Sequence, residues 1–470
     1  MQPYLHQINH PLIRYTNNQV TGGATFTQEP FGDTSNLNYS QWNYKWTIPL
    51  SSSSLRHENP FPLWIPIGGA CPNKNSKDEE EKSNAEILLK NTPKKKAVQW
   101  EYTSFHSATY GRIIYDDVGF DRLLKSMKNG NYIDDNVKLQ LLADEYYYMK
   151  REKNANRPYS YDRFLNLANA IFNSEPFIVS PSYSIFAQAQ PALEEIARVY
   201  RDTIDAPLIS RLYKKMFLNV YNSLLWEDTT SWDTNTFAEV FLPFAVRYDI
   251  GDVKNRTMNM FANVKTACGD SLNGTAWCNP YTTNLRKAIY CGAAKYSDLT
   301  SDYFYKLFVA YNTEVVTNPY FYQEYMALLE GMSCTQLPAT LKTLIRLFSS
   351  STLNQNTLFG FLKYNPVASD VLANYIVANQ QVVNSSSLNA YLDSMTYNWD
   401  SYSRFVQFEN LMETLDLTSE QKAVFQTYLD RVNSQDHALD KYFLSERNRN
   451  KMALRIFNRL RKKAIGTYSE

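Results

Sequence analysis

The stretch Cys268-Gly-Asp-Ser-Leu-Asn273-Gly-Thr-Ala-Trp-Cys278-Asn-Pro-Tyr-Thr-Thr-Asn-Leu285-Arg-Lys-Ala-Ile-Tyr-Cys291, closed much later by Cys334, organises the reading of the chain. It holds four of the five cysteines, and they sit among helical patterns. The spacing suggests one tight loop and one longer span, each pinned by a bridge. Two Asn-x-Ser/Thr sequons, at Asn255 and Asn273, lie at its start, and two more occur at Asn38 and Asn384. Bridged cysteines beside acceptor asparagines point to an oxidising, extracellular setting. Five is an odd number, so at least one thiol stays unpaired or pairs between chains.

Outward from this stretch the chain divides by periodicity. Residues 1–97 read as short strands: Leu12 to Tyr15, Gly23 to Gln28, Trp46 to Leu50 and Leu63 to Ile67 are apolar, aromatic or β-branched and are separated by Gly, Pro, Asn and Ser. They predict a small β-sandwich ending in a charged linker over 72–97. From 98 to 470 the period becomes helical. Phe120, Leu123, Leu124 and Met127 share a face, as do Phe164, Leu167, Ala168 and Ile171. Asp134 or Asp135 caps the helix between them, and Pro191 is expected to open a helix at its first turn. Further helices are expected around 303–316, 319–330, 338–348, 367–378, 420–431 and 449–464. The predicted fold is mostly α: the sandwich, then a superhelical solenoid of helical pairs.

Composition excludes several functions. A formal net charge of +1 supplies no field for nucleic acid or an anionic membrane. No run of about 18 apolar residues spans a bilayer. The first ten residues carry no basic and apolar export signal, so a chain with extracellular marks reads as incomplete. The five histidines form no His-Glu-x-x-His; His6 and His10 have the spacing but Gln7 stands where a general base belongs. There is no Gly-x-Ser-x-Gly elbow and no phosphate-binding glycine loop. Tyr146, Tyr147 and Tyr148 on one helix point three ways and are read as packing residues. No catalytic or metal-binding residue is expected in this chain, and no cofactor.

Several segments resemble the non-catalytic C-terminal half of the aminopeptidase N-like zinc aminopeptidases. Phe26-Thr-Gln-Glu-Pro-Phe31 is similar to the family's Gln-x-Arg-Phe strand, with Pro30 in place of arginine. Trp46-Thr-Ile-Pro-Leu50, Tyr110 to Asp116 and Lys138 to Asp144 resemble segments that follow. The best matches are Leu285-Arg-Lys-Ala-Ile-Tyr-Cys291 and Glu324-Tyr-Met-Ala-Leu-Leu-Glu-Gly-Met-Ser-Cys334. The resemblance implies bridges Cys268–Cys278 and Cys291–Cys334, leaving Cys71 free. It implies that zinc belongs to a catalytic domain absent from this chain. The region would shape and close the peptide-binding chamber over that domain, with peptides as shared substrates and a homodimer possible. The alternative is a free-standing inactive paralogue acting as an extracellular binding or scaffold protein.

Overall fold

The computed structural model describes residues 10–17, 24–32, 46, 48–52, 63–65, 103–104, 111–128, 133–155, 157, 159–202, 206–269, 278–297, 303, 306–307, 309, 322–349, 355–384 and 386–432. Asn38, Cys71, the charged stretch 72–97, Asn273, the helix at 449–464 and most of 303–316 lie outside them. The protein is mostly helical with small sheets, and it divides into two compact units, Met1–Ala192 and Leu193–Glu470.

In the first unit, β1 (Pro11–Asn17) runs antiparallel to β2 (Ala24–Pro30), pairing Ile13 with Gln28. It also runs parallel to β6 (Arg112–Tyr115), pairing Ile13 with Ile113. β1 is the middle strand, paired along both edges, and Leu12 and Ile13, which point to opposite faces, are both fully buried. Pro30 ends the edge strand, where a missing N–H costs no ladder bond. A second sheet orders β4 (Leu63–Ile65), β3 (Ile48–Ser52) and β5 (Thr103–Ser104). The Gln28 amide ties β2 to the residue near the start of β3, donating to Trp46 O (3.1 Å) and accepting from Trp46 N (2.8 Å).

The strand after β5 explains why the first unit extends past residue 97. β6 completes the first sheet and carries helices α1 (Asp117–Lys128) and α2 (Asp135–Asn154) against it. Asp134 is the cap of α2, accepting from Asn136 N at 2.9 Å. Asp144 of α2 accepts from Ile113 N (2.9 Å) and pairs with Arg112 (3.1 Å). Arg163 of α3 (Asp162–Phe172) binds Glu145 at 2.8 Å, Asp117 at 3.0 Å and the Tyr115 carbonyl at 2.9 Å. The three tyrosines do diverge: Tyr146 packs on Phe164, Tyr147 lies under Arg112, and the Tyr148 hydroxyl accepts from Arg14. Where the strand pattern lacks its arginine, Arg151 of α2 brings a guanidinium to Phe31 and donates to Pro30 O.

After α4 (Glu175–Val179) comes α5 (Tyr183–Tyr200), which corrects one expectation. Pro191 does not open a helix; it lies inside one. A proline there removes one intrahelical bond. Ile185, Phe186, Ala189, Ala192, Leu193 and Ile196 are all completely buried along the same helix, and that burial outweighs the loss.

The second unit contains α6 (Ala206–Ser223), α7 (Trp232–Arg247), α8 (Val253–Cys268), α9 (Thr283–Tyr296), α10 (Tyr322–Ser333), α11 (Pro338–Ser349), α12 (Gln355–Leu362), α13 (Pro366–Ala378), α14 (Leu388–Thr396), α15 (Tyr402–Thr414) and α16 (419–432). A 3-10 turn, Gln380–Asn384, follows α13. Helices neighbour one another in a row: α7 against α9, α9 against α10, α10 against α12, and α12 against α14. Another set packs α11 against α13 and α13 against α15. Two glycines within helices allow close approaches: a Cβ on Gly331 would lie 2.3 Å from Tyr290 Cβ, and one on Gly292 would lie 2.1 Å from Thr257 Oγ1. Among the described residues no helix is long and apolar enough to cross a membrane.

Candidate functional site

The last turns of six helices meet around one cavity of about 210 Å³ within the second unit. Five of the six contribute residues three or four apart, the spacing that places side chains on one helix face. α5 supplies Glu194 and Arg198, with Arg201 in the turn just after it; α7 supplies Pro243 and Arg247; α9 supplies Cys291 and Lys295; α10 supplies Glu330 and Ser333. Phe361 and Tyr364 come from the end of α12, and Tyr397 and Asn398 from the end of α14.

Convergent C-termini bring unpaired carbonyls and the negative ends of the helix dipoles together. Neighbouring helices answer them with side chains. Lys295 donates to the carbonyls of Val246 (2.8 Å) and Arg247 (3.0 Å) at the end of α7. Asn365 donates to Ser333 O and Thr335 O, both at 2.7 Å, at the end of α10. Asn398 donates to Lys363 O (2.7 Å) beyond α12, and Arg198 to Tyr397 O (3.1 Å) beyond α14. Lys295 and Arg198 are therefore caps of neighbouring helices.

Most of the charges are also paired. Glu194 meets Arg247 at 2.6 Å, Asp400 meets Arg198 at 2.9 Å, and Asp249 meets Lys295 at 2.7 Å. Two groups stand apart. Arg201 bonds the Asn398 side chain at 2.9 Å but has no carboxylate within ion-pair reach among the described residues. Burial pulls its pKa down, against partial relief from Asp202, Tyr248 and Asp400. Glu330 has Lys287 no nearer than 3.9 Å, and that lysine sits closer to Glu239, at 2.9 Å. Burial raises the Glu330 pKa against the pull of Lys287 and Arg247. Burial also pushes the Tyr248 hydroxyl up to about 12.

The bridges are Cys268–Cys278 and Cys291–Cys334, and the second forms part of the cavity wall. Beside it lies a polar knot. Arg286 Nη1 pairs with Glu324 Oε2 at 2.6 Å, Tyr290 Oη donates to Glu324 Oε1, and Asn279 Nδ2 donates to Tyr290 Oη at 2.5 Å. Arg286 Nε donates to Tyr281 O at 2.7 Å, which anchors the segment after Cys278. Arg286, Tyr290 and Glu324 all belong to the two segments that carry the sequence resemblance, so those segments encode the joint between α9 and α10. Asn255 and Asn384 lie on the surface, away from the cavity. Among the described residues no group of three or more His, Cys, Asp or Glu side chains is placed to hold a metal ion.

The family profile for the ERAP1-like C-terminal domain matches residues 105–434, well over half of the chain. The chain belongs to that family. It is also 65% identical, over 433 residues, to a Caenorhabditis elegans protein named "Putative aminopeptidase-2". That match covers 92% of this chain and 22% of the relative, so the chain spans about a fifth of the relative's length.

Within this ERAP1-like C-terminal domain, sequence reasoning did not find the cavity. Arg198, Arg247 and Lys295 each stand in a helix's last turn, where a basic residue reads as a cap. Lys295 and Arg198 do cap carbonyls, but those of neighbouring helices, and Arg247 pairs with Glu194 instead; the pattern of a single helix is silent about six helices ending together.

Proposed function

We propose that this region shapes and closes a peptide-binding chamber over the catalytic half of a zinc aminopeptidase. The observation that carries the reading is the cavity at the convergent helix ends, lined by both charged and apolar side chains and built in a domain of an aminopeptidase family. In this reading the alternating rows of helices form a solenoid with a concave face, and the two small sheets form the sandwich that precedes it. Zinc and the bond-breaking groups belong to the catalytic half, and no residue of this chain is given a part in holding the metal. The two bridges support an extracellular or cell-surface setting.

The test uses the longer protein that carries both halves. A peptide substrate with a photoreactive group near its C-terminus should label tryptic peptides containing cavity residues such as Arg247, Tyr364 or Tyr397. Labelling confined to sequence outside the second unit would overturn the reading.

A further inference from the structure

The connection from α6 to α7 turns large apolar side chains outward. Trp226 takes a positive φ of 57°, rare for a bulky residue, and lays its buried indole edge-on to Tyr221 and under Arg256, both at 6.0 Å. Beside that reversal Leu225 is left 67% exposed, and Trp232, the first residue of α7, is 73% exposed. The connection is held firmly: Asn235 donates to Thr229 O and accepts from Thr229 N, both at 2.9 Å, and Ser231 caps Thr234 N. Leu225 and Trp232 therefore stand on a preorganised tip, and local backbone strain of this kind gathers at functional surfaces. Glu227 and Asp228 are exposed between them. Arg256, the cation over Trp226, is already paired with Asp252 at 2.9 Å. A partner suited to this tip brings apolar side chains and positive charge.

One such segment belongs to the chain itself. Residues 449–464, outside the described residues, contain seven cations and no carboxylate. Helical spacing puts Ala453, Ile456, Phe457, Leu460 and Ala464 on one face, with Arg455, Arg459, Arg461, Lys462 and Lys463 off it. We propose that this segment docks on the α6–α7 tip of the same chain, its apolar face on Leu225 and Trp232 and its cations toward Glu227 and Asp228. The reach is sufficient. Arg431 at the end of α16 meets Asp393 of α14, and Tyr397, Tyr364 and Arg247 continue the contact to the end of α7. The tip lies one length of α7 beyond, about 24 Å for its 16 residues. Residues 433–448 span about 50 Å when extended. A second acidic stretch, Glu409, Glu413, Asp416 and Glu420, is nearer in sequence, but among the described residues it exposes no large apolar side chain. The proposal is independent of the peptide chamber.

Limited trypsin digestion of the full 470-residue chain reads the docking, because the segment is itself rich in cleavage sites. Cleavage after Arg455 and Arg459 should be about tenfold slower in the wild type than in a variant combining Trp232→Ser, Glu227→Gln and Asp228→Gln. All three side chains are exposed, so the near-ultraviolet circular dichroism of the folded chain should survive the change. A second measurement places the segment directly. Benzoylphenylalanine in place of Trp232, irradiated in a mixture of isotopically light and heavy chains, should cross-link to peptides from 449–464 of its own chain. Equal cleavage in wild type and variant, cross-links confined to other sequence such as 409–420, or cross-links only between light and heavy chains would each overturn the proposal.

Discussion

Replacing Glu324 by leucine tests whether the knot beside the second bridge joins α9 to α10. Glu324 is 6% exposed, and the Arg286 side chain it neutralises is 16% exposed. Removing one partner of a buried ion pair costs about 3–5 kcal/mol, because the other charge is left uncompensated. Arg286 keeps two carbonyl acceptors, Tyr281 O at 2.7 Å and Asn279 O at 3.3 Å, so the low end applies. A loss of about 3 kcal/mol lowers the melting temperature of a domain this large by about 6–12 °C. The double variant Arg286→Met with Glu324→Leu removes both charges and should recover about 1–2 kcal/mol relative to Glu324→Leu alone. Thermal unfolding followed by near-ultraviolet circular dichroism reads the transition of the second unit. A double variant as unstable as the sum of the two single losses would refute the coupling.

Other consequences follow from close packing, burial and exposure. Gly331→Ala should destabilise by about 1–3 kcal/mol, since its Cβ would press on Tyr290, whereas Gly360→Ala, with nothing within 4 Å, should be neutral or stabilising; urea midpoints check both. Burial pushes the Asp144 pKa from 3.8 up to about 7, against the Ile113 amide and Arg112. The folded state therefore holds the proton more tightly, and stability of the first unit should be greatest below pH 4 in this respect and fall as pH rises to 7. Asp144→Asn should flatten that dependence in a pH series of melting curves. At Asn384 the side-chain oxygen accepts from Gln421 at 2.7 Å, and both Asn384 and Ser386 are exposed. Mass spectrometry of secreted protein should find a glycan there, lost in Ser386→Ala.

The parts of the fold visible in the sequence are those where local pattern and tertiary burial agree. The helices at 338–349, 366–378 and 419–432 fall within a few residues of their periodic stretches. The first half of α5 was hidden because Pro191 argues locally for a helix start, while burial of Ile185, Phe186 and Ala189 decides otherwise. Pro243 within α7 is a second case of the same conflict. At Asn255 the sequon's Thr257 is fully buried and donates to Val253 O at 2.8 Å, so its hydroxyl has a packing role that a three-residue motif does not reveal. The bridge pairings came from resemblance rather than from spacing, which left them open. The cavity was illegible for a different reason: it exists only where six helix ends meet, and no single helix's pattern carries that meeting.

The most direct test of chamber closure is kinetic, in the longer protein with its catalytic half. Ala197→Trp would fill the cavity from α5, which carries neither the knot nor the bridge. The account predicts a fall of about tenfold or more in kcat/KM for peptides long enough to reach the cavity, and an unchanged value for an aminoacyl-anilide. Equal values for long peptides in the variant and the wild type would contradict it.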